Sequence, residues 1–116
     1  MTNDEDRCCE EHDRFLENAN RRMPNEETAY ELSELFKILS DPTRLKILWA
    51  IGEEEVRVCC ISEFLDMTVS AVSHQLKTLR QAHLVKARRD GRNIYYSLDD
   101  HHVGILLNIA LEHMRE

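Results

Sequence analysis

The strongest constraint on this chain is its last stretch, DDHHVGILLNIALEHMRE, from Asp99 to Glu116. At about 100° per residue, His102, Ile109, His113 and Glu116 fall within about 40° of one another on a helix. Val103, Leu106, Leu107, Ala110, Leu111 and Met114 continue an apolar arc, and His101, Gly104, Asn108, Glu112 and Arg115 fill the polar remainder. In a chain of 116 residues a monomer buries only a thin core. A terminal helix this apolar therefore calls for a second copy of itself.

Two histidines and a carboxylate on a half-apolar face are metal-ligand types. His102 and His113 lie about 16 Å apart at roughly 1.5 Å rise per residue, and ligand bonds are only about 2 Å long. One helix cannot close one ion with both. An antiparallel second copy brings His113 and Glu116 opposite His102 and creates two identical sites about a two-fold axis. Asp100 joins His102 only outside the helix, because an i,i+2 pair inside one points about 200° apart. Asp100 stands where an N-cap belongs, with extended backbone. The set Asp100, His102, His113 and Glu116, shared between subunits, is a four-ligand N/O donor set of the kind zinc takes. The same residues also fit a plain reading, in which Asp99 or Asp100 caps the helix and the histidines sit in a dimer face.

The net charge of −7 argues against a wholly basic nucleic-acid binder. The charge is unevenly placed, however. Between Thr68 and Tyr96, Lys77, Arg80, Lys86, Arg88, Arg89 and Arg92 stand against Asp90 alone, whereas acids crowd Asp4 to Glu34. A basic patch on an acidic body is a DNA footprint. No run is apolar enough to span a membrane and no signal peptide is evident, so a cytoplasmic protein without membrane contact is expected. The four cysteines form the vicinal pairs Cys8-Cys9 and Cys59-Cys60. In a reducing compartment these point to metal or redox chemistry rather than disulfides.

Residues 1–25 are polar and acidic, with Pro24-Asn25 as a break. They are expected to form a mobile arm, with a short helix near Asp13 to Asn20, separate from a folded domain over 26–116. Glu26 to Leu39 carries Leu32, Leu35, Phe36 and Leu39 at helical spacing. Asp41 caps the next helix, Pro42 opens it and Gly52 ends it, with Leu45, Leu48 and Trp49 expected inward. Glu53 to Cys60 reads as a connector and Ile61 to Asp66 as a short helix. Met67-Thr68-Val69 turns, and Ser70 caps a longer helix to about Ala82 with Val72, Leu76 and Leu79 inward. Leu84 to Arg89 and Asn93 to Leu98 are strands about an Asp90-Gly91 turn.

These elements predict a mainly α fold with a small β-hairpin: a winged helix-turn-helix that dimerises through its terminal helices. Ser70, Ser73, His74 and Lys77 lie off the apolar stripe of the recognition helix; Ser and Lys are candidate phosphate or base contacts, and His74 and Gln75 candidate base readers. Arg88, Arg89 and Arg92 on the hairpin supply salt-dependent affinity. The expected partner is double-stranded operator DNA.

The segments LSDPTRLKIL (Leu39 to Leu48) and SAVSHQLKTLRQAHLVKARRDGRNIYYSL (Ser70 to Leu98), with the terminal DDHH and EHMRE, resemble the ArsR/SmtB family of metal-sensing bacterial repressors. The resemblance covers about Glu31 to Glu116. It implies a dimeric winged-helix repressor that holds its operator as apo-protein and releases it on binding zinc or cadmium, controlling metal efflux or resistance genes. One group in the family has ligands in the pattern D-x-H followed by H-x-x-E or H-x-x-H. Asp100, His102, His113 and Glu116 match that pattern.

A second group uses thiolates in a box resembling ELCVCDL. Here the box is EVRVCCISE: Arg57 replaces the first cysteine, Cys59 matches the second and Cys60 replaces the aspartate. The resemblance leaves a modified thiolate site, Cys59 and Cys60 joined by Cys8, Cys9 or His12, which suits soft ions such as cadmium. A thiol-based redox or arsenic sensor on the same fold would use those cysteines instead of the terminal histidines. An enzyme is not expected, since a four-ligand site has no open coordination position for hydrolysis.

Overall fold

A computed structural model describes residues 9–116. Among them the order is α1 (Cys9–Arg22), α2 (Glu26–Leu39), α3 (Pro42–Ile51), β1 (Val56–Arg57), α4 (Val58–Leu65), α5 (Val69–Gln81), β2 (Val85–Asp90), β3 (Asn93–Leu98) and α6 (His101–Arg115). The chain divides into two units, Met1–Ser33 and Glu34–Glu116. No helix among the described residues is long and apolar enough to cross a membrane.

In the first unit, α1 is longer than the short helix expected. Glu10 and Glu11 in its first turn and Arg21 and Arg22 in its last complement the helix dipole at both ends. Neither Gly nor Pro interrupts it before Pro24. Asn25 then starts α2, its side-chain oxygen accepting from the Thr28 amide at 2.7 Å.

In the second unit, α3 begins and ends where its caps dictate. Asp41 is extended (φ −98°, ψ 124°) and accepts from the Arg44 amide at 3.0 Å, with Pro42 at the first helical position. Gly52 closes the helix at φ +58°, a backbone conformation that costs glycine nothing. The inward face differs from expectation. Ile47, Leu48 and Ile51 are fully buried and Leu45 is half-buried, but Trp49 is 42% exposed. This helix is apolar nearly all round, so its sequence does not single out a face. Ile51 lies i+4 from Ile47 and i+3 from Leu48, and the arc of about 100° that these three span fits the core, while the indole, about 100° beyond Leu48, stays outside.

The expected connector from Glu53 to Cys60 contains structure. Val56–Arg57 pairs with β3 as an edge strand, and α4 starts at Val58, three residues earlier than expected. A two-residue strand carries no periodicity to detect; its partner defines it. Asp66 ends α4 in the left-handed region at φ 54°. Thr68, not Ser70, caps α5, accepting from the Ala71 amide at 3.0 Å. At the far end, His83 sits at φ +60°. Its amide donates to the Arg80 carbonyl and that of Leu84 to the Leu79 carbonyl, the two bonds of a Schellman stop.

The sheet is antiparallel, in the order β1-β3-β2. Asp90 pairs with Asn93, so the hairpin turns on Gly91-Arg92, one residue later than expected. Gly91 at φ +63° occupies the first central position, as a II′ turn requires. Val72, Leu76 and Leu79 of α5 are fully buried, as the stripe predicted, with Ile61, Leu84, Val85, Val103 and Leu107 completing the core. The architecture is the winged helix-turn-helix that the sequence predicted.

If the core is as described, Ile47→Ala removes a fully packed side chain and lowers unfolding stability by about 2–5 kcal/mol. Trp49→Phe should change it by less than about 1 kcal/mol. Equilibrium urea unfolding of the two variants checks the assignment of faces.

Candidate metal centre and nucleic-acid interface

The terminal helix is positioned by Asp100. Its backbone is extended (φ −155°, ψ 177°), and its carboxylate accepts from the His102 amide at 2.8 Å. The chain leaves β3 there and turns into α6 at once. The Asp99 amide meanwhile donates to the Leu84 carbonyl at 3.0 Å, fixing the turn to the base of the hairpin. The extended cap brings its carboxylate round to the imidazole two residues on: Asp100 Oδ1 and His102 Nδ1 lie 3.4 Å apart, both exposed. Desolvation pushes the Asp100 carboxyl up. The amide and imidazole of His102 and the amide of Val103 outweigh it and hold the group below its ordinary range.

His113 and Glu116 lie at the other end of the helix, both exposed. Between the two pairs, Val103 and Leu107 are buried against the domain, while Ile105, Leu106, Ile109 and Met114 face outward, Ile109 at 59%. The helix thus packs one stripe inward and leaves a second apolar stripe uncovered. Among the described residues, no three His, Cys, Asp or Glu side chains of one chain converge. Each chain holds Asp100 with His102 at one end and His113 with Glu116 at the other. The donor types fit a borderline divalent cation, with two imidazoles and two carboxylates if the pairs come from different copies.

On α5, Ser70, Ser73, His74 and Lys77 are exposed on the side away from Val72, Leu76 and Leu79. Gln75 differs. It is half-buried, and its side-chain oxygen accepts from Arg44 Nε at 2.9 Å. Arg44 Nη1 also donates to the Ile38 carbonyl at 3.3 Å. Gln75 therefore links α5 to α3 rather than standing free at the surface. In the wing, Arg89 and Arg92 are exposed. Arg88 is held by both oxygens of Glu55, Nε to Oε2 at 2.9 Å and Nη2 to Oε1 at 3.0 Å, and lies 5.0 Å from the centre of the Tyr95 ring. Periodicity gives no sign of Glu55 or of Arg44 as partners, because each pair spans more than thirty residues of sequence.

Cys59 and Cys60 are exposed free thiols in the first turn of α4. Cys8 lies outside the described residues. Cys9 opens α1 and His12 is exposed on it.

The family model described as bacterial regulatory protein, arsR family, matches residues 41–87, from the cap of α3 into the first strand of the hairpin. A transcriptional repressor SmtB homolog of Synechocystis is 44% identical over 88 residues, covering 76% of this chain and 67% of that protein. A cadmium resistance regulatory protein CadC homolog of Staphylococcus aureus is 38% identical over 87 residues, covering 74% of this chain and 72% of its own. Among solved structures, a homodimeric winged helix-turn-helix DNA-binding domain of Mycobacterium bovis superposes with a TM-score of 0.72 at 26% identity. That match covers 81% of this chain and 89% of the other.

The Glu55–Arg88 pair makes a titration prediction. Donation from Arg88 holds the Glu55 carboxyl below its ordinary value of 4.5; partial desolvation opposes this, and the charges of Arg88 and Lys86 add to the lowering. A lowered carboxylate stabilises the fold fully above its unfolded value, and the contribution is lost as pH falls through the folded one. Carboxyl NMR should show Glu55 titrating below 4.5 in the wild type and returning toward 4.5 in Arg88→Gln. A wild-type value at or above 4.5 would contradict the pairing.

Proposed function

This chain belongs to the ArsR family of bacterial regulatory proteins, and on that premise we propose that it is a metal-responsive transcriptional repressor. In this reading a homodimer binds operator DNA without metal and releases it when zinc or cadmium binds. The observation that carries the reading is the Asp100 cap. It puts a carboxylate and an imidazole together at one end of a helix whose far end offers His113 and Glu116 and whose outer apolar stripe is uncovered. Asp100 and His102 of one protomer, with His113 and Glu116 of a second, are the residues that would hold the ion. A divalent cation supplies there a cross-link between two protomers.

Val103 and Leu107 root the same helix in the domain that carries α5. A constraint on the angle between two terminal helices is thereby a constraint on the spacing of two recognition helices. Ser70, Ser73, His74 and Lys77 would meet the major groove, and Arg89 and Arg92 the phosphates. Release requires only that the ion bind the DNA-free geometry more tightly than the DNA-bound one, a coupling of about 5–150-fold in typical systems. Ligand histidines must be neutral, so acid weakens the response.

Cys59 and Cys60 give a second reading its observation: two exposed thiols at the start of the helix-turn-helix. They would serve a thiolate sensor for cadmium, arsenic or oxidant. The same experiment separates the two readings.

Anisotropy of a labelled operator duplex, selected in vitro, is followed during zinc and cadmium titrations. The wild type should lose DNA affinity by about 5–150-fold. His102→Ala/His113→Ala should retain DNA binding and lose the zinc response. Asp100→Asn is the sharper variant, because asparagine caps as well as aspartate. Its melting should barely change while its zinc response weakens. Normal zinc release by the histidine variant, with loss of response in a variant lacking all four cysteines, transfers the function to the thiols.

A further inference from the structure

The wing carries three arginines, and they are not equivalent. Strand register puts Arg57, Tyr95 and Arg88 in one row across β1, β3 and β2. Cross-strand partners share a face, so this row lies opposite the side on which Val85 is buried. Glu55, just before β1, reaches along that outer face and grips Arg88 by two parallel N–H···O bonds at 2.9 and 3.0 Å. The Tyr95 ring, 5.0 Å from the guanidinium carbon, backs the same group. A fork-to-fork pair of this kind is the best-defined geometry a carboxylate and an arginine can adopt. Arg89 and Arg92, by contrast, form no ion pair among the described residues.

This arrangement has a consequence for DNA. Each phosphate neutralised by a cation releases counterions and adds to affinity for any sequence. An arginine already neutralised by a carboxylate releases none, and the carboxylate itself repels phosphate. We propose that Glu55 withdraws Arg88 from the phosphate-binding set of the wing and thereby holds down the protein's affinity for DNA of arbitrary sequence. The inference rests on the reading of the chain as a DNA-binding repressor. Glu55 is a specificity-determining residue in this account, because lowering the background affinity widens the gap between operator and bulk DNA without touching a base. It also suits an acidic protein in which the segment from Thr68 to Tyr96 is net basic.

The test is the salt dependence of binding to a random-sequence duplex of 30 base pairs, measured with the full chain. Glu55→Gln keeps the shape of the side chain and removes its charge. The slope of log K against log salt should steepen by about 0.9 for each wing engaged, and affinity near 0.1 M salt should rise about eightfold per wing. Glu55→Gln/Arg88→Gln, which removes both charges of the pair, should return to the wild-type slope. Arg89→Gln should make the slope shallower. All these side chains are exposed, and circular dichroism confirms that each variant is folded. An unchanged slope in Glu55→Gln overturns the proposal. So does a Glu55→Gln/Arg88→Gln slope as steep as that of Glu55→Gln, since the effect would then come from the lost carboxylate and not from a released Arg88. A wild type that binds neither random nor selected duplexes removes the DNA-binding reading first, and this inference with it.

Discussion

One carboxylate sets the junction between the sheet and the terminal helix of this molecule. By accepting the amide of His102, Asp100 ends a strand and starts a helix in the same step. A cap needs extended backbone, and extended backbone is what lets an i,i+2 pair meet. The stabilising role and the ligand-like juxtaposition are therefore one geometric fact. Asp99, beside it, ties the junction to Leu84, whose own amide closes the end of the recognition helix. The terminal helix and α5 are thus joined through a short run of backbone, not through flexible side chains.

The domain beneath is built to present surfaces rather than to enclose a site. Its core is a single cluster in which α5 contributes Val72, Leu76 and Leu79, and α6 contributes Val103 and Leu107. Both helices spend one stripe on that cluster and keep the other outside. For α5 the outer stripe is polar and basic; for α6 it is apolar and flanked by histidines. An uncovered stripe of Ile105, Leu106 and Ile109 on so small a domain is what a helix-to-helix dimer requires. The homodimeric neighbour from Mycobacterium bovis has the same fold.

Electrostatics divide the molecule more finely than its net charge suggests. The basic segment from Thr68 to Tyr96 does not act as a uniform patch. Arg88 is bound to Glu55 and backed by the Tyr95 ring, while Arg89 and Arg92 form no ion pair among the described residues. On the helix side, Gln75 is drawn inward to Arg44, while His74 and Lys77 on the face away from the stripe remain exposed. In both places a polar group that looks available in the sequence is engaged within the protein.

The sequence by itself determined much of what local chemistry carries, though it put the cap of α5 at Ser70 rather than Thr68. Asp41, Pro42 and Gly52 bound α3 because caps act within one turn, and the 3.6-residue repeat located α2 and the buried face of α5. The capping role of Asp100 followed from the same short-range geometry. What only the tertiary structure decided are the features that depend on distant partners. Trp49 lies outside because its apolar helix could turn several faces inward, and the surrounding elements selected one. Val56–Arg57 is a strand only because β3 lies beside it. Arg44 with Gln75, and Glu55 with Arg88, meet across more than thirty residues, where no periodicity reaches and only the packed fold brings donor to acceptor.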